Sequence, residues 1–370
     1  MTVSRRTFLG LSGTIAGAGM IGGWAFWQQR QHQPLILSAR NDQSGQHYAA
    51  GFYLDGRCAF QTPVATRCHD ITRHPFLPIA LFVGRRPSTE SYLIDLRDGR
   101  LLQTLRSQTN RHFYGHAIFD ASGDWLFSTE NDIRDPGKGV ISAYRFDGAQ
   151  LLPHHEFPSY GIGPHQLAWM PDGNTIVVAN GGIRTEADSR KEMNLNAMEP
   201  SLVLVSRDGR LLSKETLPEQ QSSIRHLSVA ADGTIVTGQQ FMGDAYKEVP
   251  LLAIKRPHQP FTTFPVSHRA LSEMRHYTAS ISINSELRQL AITAPRGNRF
   301  YIWNLDNSEL LLDVAVPDCA GVGALENGFV VTSGQGKCRL FKSAGATAEH
   351  QPTSKVLTLP SGLWDNHLIC

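Results

Sequence analysis

One local arrangement recurs along this chain of 370 residues and sharply limits what it can fold into. A histidine heads a short apolar run in "TRCHDITRHP" (His69), "RHFYGHAIFD" (His116), "GIGPHQLAWM" (His165) and "SSIRHLSVAA" (His226), and again in the final residues, "LWDNHLIC" (His367). The first four are 47, 49 and 61 residues apart, and each opens the same series of short segments bounded by turn residues. After His116 come "WLFSTEN", "GVISAYRF", a "DG" turn and "LLPHHEF"; after His165 come "TIVVAN", a long polar loop, "PSLVLVS", "RDGR" and "LLSKETL". Apolar runs split by DG-type turns are hairpin signals. Four strands per unit at a period of about 45 residues predict a β-propeller blade.

Two more units follow with different heads. "YTASISINSELRQLAITAPRGNRFYIWNLDNSELLLDVAV" predicts a fifth blade and "CAGVGALENGFVVTSGQGKCRLF" begins a sixth, with Ala279 and Gly321 where the others carry histidine. The two ends remain. "PLILSARND", "HYAAGFYLDG" and "CAFQTPV" look like second, third and fourth strands lacking a first, and "LWDNHLIC" looks like a first strand lacking the rest. Together they complete a seventh blade, and joining the termini in one sheet removes an open edge. The expectation is an all-β, seven-bladed propeller over residues 31–370, closed by pairing of N- and C-terminal strands in one blade. A β-sandwich array, the alternative, leaves the last strand unexplained.

Residues 1–30 stand outside that pattern. "SRRTFLG", with Arg5 and Arg6, followed by the glycine-rich "LSGTIAGAGMIGGWAFW", resembles a twin-arginine export signal. A membrane anchor is the other reading, since Phe8 to Trp27 is just long enough to span a bilayer, but its glycines make it a poor one. Export by this route implies a periplasmic protein that crosses already folded, often with a cofactor loaded beforehand, and contact with a membrane only through an uncleaved N-terminus. Five cysteines, an odd number, leave at least one without an intramolecular disulfide in an oxidising compartment. Cys319 and Cys338 fall in one blade and could bridge across its loop. With 35 basic and 33 acidic residues, scattered without a basic stripe, nucleic acid is excluded as a partner.

Because the first strand of each propeller blade lines the central channel, the five histidines should surround one channel mouth, contributed by five consecutive blades. Polar loops could overhang it: "GRRPSTES" with Arg85 and Arg86, "STENDIRDPGKG" with Glu130, Asn131 and Asp132, and "ANGGIRTEADSRKEMNLNAMEPS" with Asn180, Asn194 and Glu199. Arg225, directly before His226, is a further contact of this kind. Imidazoles so gathered suit a transition metal, iron or copper above all, and carboxylates could complete the site. The competing reading makes each histidine a donor to a neighbouring loop carbonyl that serves the fold alone. His74, just before a proline, reads as a turn, and His154 and His155 as outer-strand surface. No GxSxG, P-loop or HExxH motif occurs.

The segments "RHFYGHAIFDASGDWLFSTENDI", "GIGPHQLAWMPDGNTIVVANGGI", "NLNAMEPSLVLVS", "SIRHLSVAADG" and "TAPRGN", with the twin-arginine start, closely resemble a bacterial family catalogued as domain of unknown function fifteen-thirteen. The resemblance runs from about Leu35 to Cys370. It implies a quinoprotein-like or nitrous-oxide-reductase-like propeller, found beside imelysin-type and di-haem periplasmic proteins and linked to iron uptake. The chain departs from the family's pattern at Cys68, where glycine is usual, and in "IRTEADSRKE", where a His-Pro-Asp element is often found. The expected role is a metal-linked accessory protein of iron acquisition. A metal-dependent oxidoreductase or lactonase-like hydrolase, and a pure protein–protein scaffold, are the alternatives.

Overall fold

The computed structural model describes residues 35–187, 189–342, 353–359 and 363–370; the Arg5–Arg6 motif lies outside the described residues. They form twenty-eight strands, numbered β1 to β28 in chain order, gathered into seven four-stranded sheets. Each sheet is one blade. Its innermost strand is β4 (Cys68–Arg73), β8 (Arg111–Phe119), β12 (Pro164–Trp169), β16 (Ser222–Val229), β20 (Ser280–Asn284), β24 (Cys319–Leu325) or β28 (Leu363–Trp364). The seventh sheet runs β28, β1 (Leu35–Asn41), β2 (His47–Tyr53), β3 (Cys58–Val64), so the last strand of the chain closes the circle against the first.

That closure extends beyond the two residues of β28. Arg40 faces Trp364 and Asn41 faces Leu363, and further on Leu37 and Ile369 exchange backbone hydrogen bonds of 2.8 and 3.1 Å. Between them the chain from Trp364 to Ile369 is longer than the Arg40 to Leu37 stretch it faces, and the excess bulges inward. Asp365 N–H still donates to Ala39 (3.0 Å), and the Ser38 hydroxyl to the His367 carbonyl (2.7 Å).

The core lies between blades. Seven apolar clusters are each filled from two neighbouring sheets. The strand β5 (Ile79–Gly84) shows why its sequence is apolar throughout: Ala80 and Phe82 face the closing blade, while Ile79, Leu81 and Val83 face the blade of β8. A strand buried on both faces reads as a continuous apolar run instead of an alternating one. A short helix, α1 (His268–Met274), capped by the Ser267 hydroxyl, packs Ala270 and Met274 against the fourth and fifth blades. No helix among the described residues is long and apolar enough to cross a membrane.

The same geometry corrects the cysteine expectation. All five cysteines are free. Strand β25 (Gly328–Ser333) separates those carrying Cys319 and Cys338, and the two thiols face opposite clusters of the blade. Burial pushes both thiols up to about 12.

Candidate metal centre

Each histidine stands where its inner strand breaks register. The β4–β5 pairing slips between Cys68 and Ile71, that of β8 with β9 (Trp125–Asp132) between Phe113 and Ala117, and that of β12 with β13 (Thr175–Asn180) between Pro164 and Leu167. The pairing of β16 with β17 (Ile235–Phe241) slips between Ile224 and His226. Extra residues on one side of a ladder kink it and re-aim a side chain. Here they turn His69, His116, His165 and His226 into the channel, and the bulge after Trp364 does the same for His367.

The five rings form one compact cluster. His69 lies 4.6 Å from His367, 5.1 Å from His116 and 5.6 Å from His165, centroid to centroid. His116 is 4.7 Å from His367, 4.8 Å from His165 and 6.0 Å from His226, and His226 is 4.8 Å from both His165 and His367. Two triads, His69–His116–His367 and His116–His165–His226, each present ligand atoms within 4.8 Å of one another. His165 is half-buried and the other four are buried, so the cluster sits inside the channel, not at an open mouth.

Two carboxylates orient it. Asp365 Oδ1 is 2.8 Å from His69 Nδ1, and Asp70 Oδ2 is 2.8 Å from His116 Nδ1. Each aspartate reaches forward one blade: Asp365 from the closing blade to the first, Asp70 from the first to the second. A ring whose Nδ1–H donates to a carboxylate keeps its Nε2 lone pair free. Accordingly His116 Nε2 is buried without a hydrogen-bond partner among the described residues, as are His367 Nε2, His165 Nδ1 and His226 Nδ1. Backbone anchors fix the rings further, with the Thr129 hydroxyl donating to the His165 carbonyl (2.9 Å) and the His116 carbonyl (3.2 Å).

Burial favours the neutral form of four of the rings. It lowers His69 to about 4 against the pull of Asp365, and holds His165, His226 and His367 well below the ordinary histidine range, with the neighbouring imidazoles adding to the effect. Asp365 lies well below the usual carboxylate range: burial opposes the shift, but His69, Arg85 and Arg67 outweigh it. The Arg67 and Arg85 guanidiniums stand 2.6 and 3.3 Å from its Oδ2.

The expected loop contacts divide. Arg85 and Arg225 border the cluster; Arg225 Nε donates to Ser223 (2.9 Å), and burial, then the charge of Arg86, pushes its guanidinium down to about 10. Glu130 and Asp132 are strand residues of β9, not loop residues, and the ladder turns them away. Glu130 is fully buried within its own blade, accepts from Tyr144 Oη at 2.5 Å, and is raised to about 7 by burial. Asp132 pairs with Arg111 (3.0 Å) and Arg134 (2.9 Å), and Asn180, ending β13, accepts from the Ser159 hydroxyl (2.9 Å). Glu199 is exposed, its backbone N–H donating to Gly182. Asn194 secures the long loop through Arg184 N–H (2.7 Å) and the Gly182 carbonyl (3.0 Å). His74 serves a turn, as expected, accepting from the Phe76 and Leu77 amides. His154 and His155 lie on the outer strand β11 (Leu151–Ile162).

Sequence reasoning passed over Asp70 and Asp365, although each stands within two residues of a cluster histidine. It also passed over His112, buried beside Asn131 at 3.1 Å and lowered to about 4 by burial and then Arg86. Gly115 shows what the "GH" pair is for: at φ +112° it lies against His69, and a Cβ there would come within 2.7 Å of the ring.

Among solved structures, the chain resembles Sqt1 of Saccharomyces cerevisiae (14% identity, 80% of this chain and 86% of that one, TM-score 0.53). It likewise resembles the hydrazine synthase of Kuenenia stuttgartiensis (11%, 87% and 95%, 0.57) and a chain of a nidogen/laminin complex (14%, 76% and 93%, 0.51). At such identities these likenesses speak for the fold alone. No curated protein matches. A family profile does match, over residues 62–370, which takes in every histidine of the cluster, and the chain belongs to that family, described as "Protein of unknown function (DUF1513)".

Proposed function

We propose that the protein holds a transition-metal ion, iron or copper, in the five-histidine cage, as a periplasmic accessory component of iron acquisition. The observation that carries this reading is the convergence of unpartnered imidazole nitrogens. His116 Nε2, His367 Nε2, His165 Nδ1 and His226 Nδ1 are all buried in one cluster without hydrogen bonds. An unsatisfied buried polar atom costs about 1 to 3 kcal/mol, so gathering four of them without a ligand would be expensive. A histidine kept for the fold alone would instead spend its ring nitrogens on nearby carbonyls. Aspartates behind His69 and His116 are the outer partners that metal-bound histidines commonly have. An all-imidazole donor set suits copper, iron, nickel or zinc; the iron assignment comes from the family resemblance, and imelysin-type or di-haem periplasmic proteins are the corresponding partners.

Binding is favoured over turnover. The cavity beside His165 measures about 20 Å³, which encloses no more than about one water-sized group. The test is metal analysis of protein exposed in turn to copper, iron and zinc salts and then dialysed, compared with the double variant His116→Ala/His165→Ala. Stoichiometric retention by the wild type, lost in a variant that still shows the β-sheet circular dichroism of the parent, supports the cage. A wild type that retains none of the three metals, or a double variant that retains as much as the wild type, overturns it.

A further inference from the structure

Above the cage the charge balance is one-sided. Arg85 and Arg86 follow β5, Arg190 comes from the long loop after β13, and Arg225 stands on β16 beside His226. Arg85 shares Asp365 with Arg67 and His69, so that carboxylate is already engaged. The other three have no carboxylate oxygen within 4.0 Å among the described residues. Arg86 donates to the Thr185 hydroxyl (2.8 Å) and lies over the Tyr114 ring (5.2 Å), and Arg225 is held by Ser223. Neutral hydroxyls and a ring orient Arg86 and Arg225 without neutralising them.

They wall a cavity. Arg86, Tyr114, Thr185, Glu192 and Arg225 line it, and His165 of the cage lies at its edge. Glu192, an exposed residue, is its sole acid among the described residues. At about 20 Å³ the cavity admits roughly one water-sized group, which suits a single oxygen of a larger anion whose remainder stays among the arginines. Arginine's planar fork matches carboxylate and phosphate oxygens better than any other cation does.

We propose that this arginine-walled mouth binds a small oxyanion, a carboxylate or phosphate group, with one oxygen directed toward the histidine cage. The anion's part as a cap on bound metal rests on the cage reading; its binding to the arginines does not. Loading a cation into the imidazole cage adds positive charge beneath guanidiniums that have no carboxylate partner among the described residues, so metal and anion should favour each other.

The experiment is titration calorimetry of the exported, metal-free protein with inorganic phosphate and with oxalate, repeated after metal loading. Saturable binding of at least one anion is expected in the metal-free protein, weakened by sodium chloride, and at least tenfold weaker in Arg86→Gln and in Arg225→Gln. Arg190→Gln, on an exposed loop where folding is not at risk, should weaken it in the same direction. Tighter oxalate than phosphate assigns the site to carboxylates, and the reverse to phosphates. Absence of saturable binding of either anion to the wild type, with and without metal, overturns the proposal, as does wild-type affinity in all three variants. A protein that binds the anion but no metal keeps this site and refutes the cage alone.

Discussion

Removing the indole of Trp364 tests the closure at its most concentrated point. Trp364 is 3% exposed, meets the Phe52 ring edge-on at 4.9 Å, and lies 6.0 Å from the Arg40 guanidinium. Its indole nitrogen has no hydrogen-bond partner among the described residues, so truncation forfeits ring packing and the Arg40 contact but no indole hydrogen bond. Trp364→Ala should cost about 3 to 5 kcal/mol, about a fifth or more of an ordinary domain's stability of about 5 to 15 kcal/mol. Deleting Trp364 to Cys370 removes in addition buried Leu368, the paired amides of Leu37 and Ile369, and Asp365 with its ion pairs. Leucine burial contributes about 2 kcal/mol and each hydrogen bond about 1 kcal/mol, so the truncated chain should not accumulate folded. Urea unfolding followed by circular dichroism reads both variants, with Leu363→Ala, 58% exposed, as a near-neutral control. A Trp364→Ala variant within about 1 kcal/mol of the parent, or a truncated form melting with the full chain, would refute the argument that this strand holds the ring shut.

Acid should unfold the metal-free protein early. His69, His165, His226 and His367 all titrate lower folded than the roughly 6.5 of an unfolded histidine, so below that pH the unfolded chain binds more protons. Stability is then lost as pH falls from 6.5 toward 4, by about 3 kcal/mol for His69 alone; a melting temperature unchanged between pH 7 and pH 5 would contradict this. Glu130 runs the other way: its folded value near 7 exceeds the unfolded one near 4.3, so stability falls as pH rises between them. Glu130→Gln, which keeps an acceptor for Tyr144, should therefore gain on the wild type at pH 8 relative to pH 5, and equal differences at the two pH values would refute the burial argument. Gly115→Ala places a Cβ at 2.7 Å from the His69 ring at φ +112° and should cost about 1 to 3 kcal/mol in urea unfolding; a neutral result would mean the loop relaxes freely.

The propeller, its closing strand and the blades that carry the cage were legible because each is written in local signals: turn dipeptides, apolar runs of strand length, and a repeated histidine. Other features depend on what faces a residue across a ladder. Glu130 looks like loop chemistry in "STENDIRDPGKG", but β9 runs on to Asp132, and strand alternation then carries its carboxyl into the blade. Asp70 follows His69 in the chain yet serves His116 of the next blade, and Asp365 serves His69. Pairings across blades have no signature in sequence spacing. The disulfide expectation failed likewise, because Cys319 and Cys338 share a blade but not a face.

Why five blades carry the ring, and not all seven, follows from two conditions that must coincide: a register break that aims a residue inward, and an imidazole at that place. The fifth blade lacks both. The strand β20 pairs with β21 (Gln289–Ala294) without a break from Ser280 to Asn284, and Ala279 ahead of it is tied to Thr293 by a backbone hydrogen bond of 2.9 Å. The sixth blade has the break, between Cys319 and Val322, but not the side chain. There the closing strand passes so near that a Cβ on Gly321 would lie 2.8 Å from the His367 carbonyl carbon and the Leu368 nitrogen. Glycine at 321 thus yields its place to the histidine of the neighbouring blade, and the inward bulge that brings His367 into the cage belongs to the same strand that completes the fold.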